Sequence, residues 1–167
     1  MKRRLIFTLA LALLLVATLS LPAIAADSGD VTASVTVNSV ISITITDAGA
    51  AGIQFGSLST GATDAPDAGA NVTTASIVVN VASETTVNVD LQIKGTDFGT
   101  GFTVTNAKYS LTYAGAKVAL STSYTEFADN IAPSGAATLW HWLDVPSSGV
   151  TAGLYNSTFS YKAVTHS

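Results

Sequence analysis

The chain has 167 residues, of which only 11% are charged, whereas an ordinary soluble domain carries about 25%. Hydrophobic residues make up 48% of the chain, there is no cysteine, and the formal net charge is −4. This composition excludes a disulfide-rich miniprotein, a disordered tail and a basic nucleic-acid-binding protein. The length suits one domain.

The N-terminus has the pattern of a secretory signal peptide. Three basic residues precede an apolar run from 5 to 21, and the residues at 23–25 form an A-x-A cleavage site. This site favours a cleaved signal peptide over a retained membrane anchor. We therefore expect residues 1–25 to be a cleaved signal peptide and residues 26–167 to form one mature domain. The expected location is secreted or extracellular, at the cell surface, with no membrane segment after cleavage.

Cleavage changes the charge balance of the chain. It removes both arginines and leaves four lysines against eleven acidic residues, a formal net charge of −7. Arginine is the residue best suited to bidentate contacts with phosphate. We therefore expect no nucleic acid among the partners.

Alternation of apolar and polar residues predicts β-strands along the mature chain. The alternation is clearest at 86–94, where every second residue is apolar, and turn-forming residues separate the predicted strands. The other predicted strands lie at 31–37, 40–46, 76–82, 108–113, 137–145 and 155–164. The pattern predicts an all-β fold, a single antiparallel Greek-key β-sandwich of immunoglobulin-like type with about seven to eight strands.

Few residues in the chain could perform catalysis. His141 lies between two tryptophans in a predicted strand, and His166 is next to the C-terminus. Neither belongs to a nucleophile elbow or a zinc-binding motif. We therefore expect no catalytic residues and no enzyme activity.

Three aspartates form a weak candidate for a structural calcium site. Asp64 and Asp67 lie in one irregular loop, and Asp47 could join them. Clustered oxygen ligands are what calcium requires, but aspartates in turns also accept backbone hydrogen bonds without any metal. No other cofactor is expected.

Two tryptophans lie two residues apart in a predicted strand. Trp140 and Trp142 must share one face of it. An exposed pair, with Tyr155, could stack on sugar rings, whereas a covered pair would be core or subunit contact.

Two N-x-[ST] sequons are potential acceptors of N-linked glycans on an exported chain. They are Asn71-Val72-Thr73 and Asn156-Ser157-Thr158.

The first mature segment, 27–37, could be an edge strand or a donated strand. Val31, Ala33, Val35 and Val37 alternate with polar residues. Such a strand can pair within its own molecule, or it can add to the sheet edge of a neighbour and build a filament.

Several short runs resemble secreted immunoglobulin-like domains of bacterial and archaeal surface proteins. They are the run at 53–61, the Trp-Leu-Asp-Val-Pro run at 142–146, and the Ala-Gly-Leu-Tyr run at 152–155 that opens the last predicted strand. The layout is also similar to pilin-like filament subunits that exchange donor strands, although the cysteines of many usher-assembled pilins are absent.

The resemblance implies a structural or adhesive protein of the cell surface. We expect a filament or surface-layer-associated subunit that assembles by β-strand addition, with itself or other surface proteins as partners. The alternative is an extracellular carbohydrate-binding or adhesive module that uses an exposed tryptophan pair.

Overall fold

The computed structural model describes residues 34–36, 38–47 and 52–167. The chain divides into two compact units, Met1–Thr36 and Val37–Ser167. Of the first unit only residues 34–36 are described, and they have no regular structure. The predicted signal peptide and most of the predicted first strand therefore lie outside the described residues.

The second unit is all-β, as the alternation predicted. One short 3-10 helix, Val104–Asn106, accompanies the strands of the described residues. The strands are β1 (Ile43–Asp47), β2 (Ala65–Pro66), β3 (Ile77–Val81), β4 (Val89–Gly95), β5 (Ala107–Ser110), β6 (Val118–Ala119), β7 (Thr125–Ile131), β8 (Ala136–Leu143) and β9 (Phe159–Thr165).

The strands form two antiparallel sheets. The larger sheet has the order β1-β3-β8-β5-β6, and β2 continues along the β8 edge beyond β3. The smaller sheet has the order β7-β4-β9. The chain repeatedly changes sheet, for example between β3 and β4 and between β7 and β8, so most neighbouring strands are not consecutive in sequence.

One hydrophobic core joins the two sheets in a sandwich-like arrangement. Val79 of β3 and Leu139 of β8 face it from the larger sheet, and Leu91 of β4 faces it from the smaller one, each with 0% exposure. Across the core, the Tyr109 and Phe127 rings lie 6.4 Å apart between centroids, which places β5 opposite β7. Alternate residues of both sheets therefore supply the core, as a packed pair of sheets requires.

Six of the seven predicted strands correspond to observed strands. The predicted strand at 86–94 is β4, and those at 40–46, 76–82, 108–113, 137–145 and 155–164 contain most or all of β1, β3, β5, β8 and β9. The alternation missed β7 and the two-residue strands β2 and β6. Within the described residues, no helix is long and apolar enough to cross a membrane.

Candidate functional site

The first candidate site is a pair of open sheet edges. In the described residues, β9 pairs only with β4, and β1 pairs only with β3. An unpaired edge presents backbone N–H and C=O groups that can accept another strand. Both edges therefore have the backbone chemistry needed for strand addition.

The edge of β9 lies opposite the part of the larger sheet that leads to β1. The His141 ring of β8 stacks on Phe159 of β9 at 5.5 Å, so β9 lies opposite β8, while β7 lies opposite β5. The larger sheet therefore extends past β9 toward β3 and β1. Ile45 of β1 is paired with Val79 and faces the core side, yet 49% of it is exposed. On the core side of β1, Ile45 is thus not covered by the described residues, whereas Ile41 and Ile43 pack against the core.

The other two edges are protected against pairing. The ladder between β7 and β4 has two register shifts, and β7 carries Glu126 and Asp129 together with Asn130 at a positive φ of 53°. Bulges and charges are the usual means by which proteins protect an edge strand. β6 has only two residues. Among the described residues, β9 and β1 are therefore the edges that lack this protection.

Only part of the predicted donor segment can be located. Val35 is 86% exposed, whereas Val31, Ala33 and Val37 lie outside the described residues. The structure therefore shows one of the four predicted donor side chains, and that one is in contact with solvent.

The second candidate site is an open groove of about 450 Å³ on the outer face of the larger sheet. Its floor is formed by Thr46, Val78 and Thr138, which the strand register places side by side on β1, β3 and β8. Thr73, Thr74 and Ala75 form one wall, and Asp47 and Trp140 complete the lining. The groove thus combines four hydroxyl groups, one carboxylate and an indole.

Trp140 is fixed in this groove by a hydrogen bond. Its indole Nε1 donates to the carbonyl oxygen of Asn71 at 2.8 Å. The side chain is half-buried. Its ring orientation is therefore set by the loop that also forms the wall of the groove.

The exposed tryptophan pair is not formed, because Trp142 is only 3% exposed. Trp142 is on the outer face of the sheet, but Tyr113 packs against its ring at 5.9 Å and the Lys117 ammonium lies 4.7 Å from its centroid. Tyr155 is held elsewhere, with its hydroxyl donating to the Thr151 carbonyl and its ring against Phe102. The three predicted stacking residues are thus separate.

The three aspartates of the calcium hypothesis do not form a cluster. Asp64 is paired with Lys108 and Lys117, at 3.0 and 3.1 Å. Asp67 accepts hydrogen bonds from the Gln54 and Gly69 amides, and Asp47 accepts one from Gly52. In the described part of the chain, no group of three acidic, histidine or cysteine residues is placed to hold a metal. In the described structure, Asp64 is thus an ion-pair partner, and Asp67 and Asp47 accept backbone hydrogen bonds.

The two histidines have different surroundings. His141 is 1% exposed, and burial lowers the pKa of its ring to about 3. His166 is at the surface, with Nδ1 2.7 Å from an Asp90 carboxylate oxygen. Hydrogen bonding from the Asn130 amide, together with this contact, lowers the pKa of Asp90. His141 is therefore a core residue, and His166 fastens the C-terminus to β4.

Both sequon asparagines are exposed, but their surroundings differ. The Asn71 side-chain oxygen accepts hydrogen bonds from the amide and the hydroxyl of Thr73, at 2.9 and 2.8 Å. At the second sequon, the Ser157 hydroxyl and the Thr158 amide instead bond to Thr96 of the neighbouring segment. The first sequon is a turn closed by its own side chain, whereas the second is bonded to a neighbouring segment.

Sequence reasoning did not find Ile45 or the threonines of the groove. Ile45 belongs to a predicted strand, but its exposure depends on how far the smaller sheet extends. The four threonines come from three separate segments. No spacing in the sequence signals either arrangement.

Comparison with known proteins gave no relative. No protein-family model, no curated protein and no solved structure matches the chain. Function must therefore be argued from the geometry alone.

Proposed function

We propose that the protein is a secreted, non-enzymatic structural component of the cell surface that assembles by β-strand addition. The donor is the segment 27–37 of one copy, and the acceptor is the open edge of β9 together with the exposed Ile45 on the core side of β1 in another. The antiparallel sandwich with repeated sheet changes also supports an immunoglobulin-like Greek-key arrangement.

One observation carries the proposal. Ile45 faces the core side of the larger sheet but is half exposed, directly where β9 leaves the smaller sheet without a further strand. An added strand would pair with β9 through its backbone and cover Ile45 with alternate side chains. The valines and alanine of 27–37 have the period of two that this geometry needs.

Charge on the two edges is compatible with this pairing. β9 contains a single charged residue, Lys162, and β1 contains only Asp47 at its end. The segment 27–37 contains Asp27 and Asp30 ahead of its apolar positions. No like-charge repulsion therefore opposes docking along the apolar part of the donor.

Removal of the donor tests the proposal. The mature chain 26–167 should form filaments or higher oligomers, visible by electron microscopy and light scattering, and a variant lacking 27–37 should remain monomeric. The circular dichroism spectrum and melting curve of this variant show whether it is folded. Equal assembly by both proteins would refute strand addition by this segment.

Matched substitutions separate the donor face and the acceptor face. Val35→Asp should abolish assembly, whereas Ser34→Asp, on the opposite face of the donor, should weaken it little. On the acceptor, Ile45→Lys should prevent assembly, whereas Thr44→Lys on the outer face of β1 should not. Ile45 and Thr44 are both exposed, so neither substitution should unfold the domain.

A further inference from the structure

We propose that Asn71 carries an N-linked saccharide and that its first sugars lie in the groove beside Trp140. This inference rests on the export that the proposed function includes, but not on strand addition. It concerns the outer face of the larger sheet, whereas strand addition concerns the edge of β9 and the core side of β1.

The sequon at Asn71 leaves the reactive nitrogen free. The side-chain oxygen of Asn71 accepts three hydrogen bonds, from the Thr73 amide, the Thr73 hydroxyl and the Thr74 amide. In the described part of the chain, Nδ2 has no hydrogen-bond partner, and the residue is exposed. The amide is therefore held by its oxygen with its nitrogen available for attachment.

The donor of the saccharide is a lipid-phosphate-linked oligosaccharide. Nδ2 of Asn71 forms a bond to the anomeric carbon of a lipid-phosphate-linked oligosaccharide. The bond between that carbon and the phosphate oxygen breaks, the lipid phosphate leaves, and Nδ2 loses one proton. An oligosaccharide transferase acting on exported chains catalyses this step, the lipid-linked oligosaccharide is the donor, and this protein provides only the acceptor.

The lining of the groove matches a neutral saccharide. Thr46, Thr138 and the two threonines of the sequon loop offer hydroxyls that can donate and accept hydrogen bonds. Trp140 offers an apolar ring face for the C–H face of a sugar. The lining includes one carboxylate, from Asp47, and no cation, so it does not favour a phosphate or sulfate ligand.

The loop that contains the Asn71 sequon also forms part of the groove. The carbonyl of Asn71 holds the Trp140 indole at 2.8 Å, and Thr73 of the sequon is itself part of the groove wall. A saccharide on Asn71 therefore starts two residues from the wall of the groove. None of the three residues of the second sequon lines this groove.

Mass spectrometry of the protein from its own organism tests attachment. The peptide containing Asn71 should carry whole sugar residues, and this mass should be lost in Asn71→Gln and in Thr73→Ala but kept in Thr73→Ser. Thr74→Ala, which alters the groove but not the sequon, should keep the mass, and so should Asn156→Gln. An exported chain whose N-terminus lies near residue 26 and whose Asn71 is unmodified would overturn the inference while leaving strand addition intact.

The same mass spectrum separates failure of the inference from failure of export. A chain that retains residues 1–25 would remove the basis of both proposals. Filaments built from unmodified chains would contradict only the saccharide.

Quenching of tryptophan fluorescence by acrylamide tests the seating in the groove. Trp142 is buried, so quenching of the unmodified protein reports mainly Trp140. The attached sugar should make most of the Trp140 fluorescence inaccessible to acrylamide. Asn71→Gln should restore the quenching, whereas Asn156→Gln should not. Unchanged quenching in a modified chain would overturn the seating. If a free oligosaccharide binds an exported but unmodified chain, and Trp140→Ala abolishes that binding, the groove binds a free sugar. That result would overturn the proposal that the sugar is attached to Asn71.

Discussion

His141 of β8 and Tyr161 of β9 join the two sheets through a contact of 3.3 Å between the imidazole Nε2 and the phenol oxygen. The imidazole Nδ1 is buried without a hydrogen-bond partner in the described structure. Burial raises the pKa of Tyr161 and lowers that of His141 to about 3. Both rings are therefore neutral in the folded protein over the whole physiological pH range.

We predict that this buried histidine makes the domain sensitive to acid. The unfolded chain binds a proton at His141 near its ordinary pKa of 6.5, whereas the folded chain does so only near 3. Between these values the unfolded state binds more protons, so the free energy of unfolding falls by about 1.4 kcal/mol per pH unit as pH drops. Urea denaturation between about pH 7 and about pH 4.5 measures this loss.

Two variants identify the cause of the acid sensitivity. His141→Phe should flatten the pH dependence in this window, because the group that titrates is gone. Tyr161→Phe should keep the dependence, because His141 stays buried without the phenol hydroxyl. An unchanged pH slope in His141→Phe would show that another group is responsible.

We predict that Asp67 stabilises the loop between β1 and β3 without a metal. Its buried carboxylate accepts the Gln54 amide at 3.0 Å and the Gly69 amide at 3.3 Å. Asp67→Ala should lower the free energy of unfolding by about 0.5–1.5 kcal/mol per hydrogen bond, because the Gln54 and Gly69 amides lose their shared acceptor. Asp67→Asn keeps an acceptor and should cost less. A melting temperature of the native chain that rises on addition of calcium would contradict this role.

The fold could be predicted where alternation and burial agree. In β4, the apolar positions Val89, Leu91 and Ile93 are each 0% exposed, so the period of two in the sequence reflects the packing directly. In β7, Phe127 is the only one of seven residues that is buried. An edge strand with bulges and one buried side chain has no regular alternation, and so β7 could not be recognised.

The candidate sites depend on contacts between distant residues, which the sequence does not reveal. The shared face of Trp140 and Trp142 was predictable from their spacing. The burial of Trp142 depends on Tyr113 and Lys117, which come from the loop after β5. The groove depends on the register of three strands, and the Trp140 indole bonds to Asn71, which lies 69 residues away in the chain.

We predict that Gly95 at the end of β4 cannot accept a side chain without cost. A Cβ atom there would lie 2.5 Å from Val104 Cγ2 and 3.1 Å from Phe159 Cδ1. Gly95→Ala should lower the free energy of unfolding by about 1–3 kcal/mol through overpacking. Gly153→Ala, where no atom lies within 4 Å, is the matched control and should change it little.

A double variant tests whether Val104 is the source of this strain. In Gly95→Ala combined with Val104→Ala, the clash with Cγ2 is removed. The double variant should therefore lose less free energy of unfolding than the two single variants lose together. Strict additivity would show that Val104 does not cause the strain.

We predict a small, salt-dependent contribution from the charge cluster on the outer face. The Lys108 ammonium lies 3.0 Å from Asp64 and 2.5 Å from Asp144. These contacts raise the pKa of Lys108, chiefly through Asp144, and Lys108 is the main cause of the lowered pKa of Asp64. The stabilisation from Asp64 is therefore present above its ordinary pKa of 3.8 and is lost as pH falls through the lowered value.

Replacement of Lys108 measures this contribution. Lys108→Gln should lower the free energy of unfolding by less than about 1 kcal/mol, because the three side chains are partly exposed to water. The difference from the native chain should shrink in high salt, since ions screen exposed charges. Lys94→Gln is the matched control, because Lys94 lies over the Tyr124 ring and has no ion pair in the described structure. An effect of Lys108→Gln that is equally large in high salt would show that Lys108 acts through packing of its aliphatic stem.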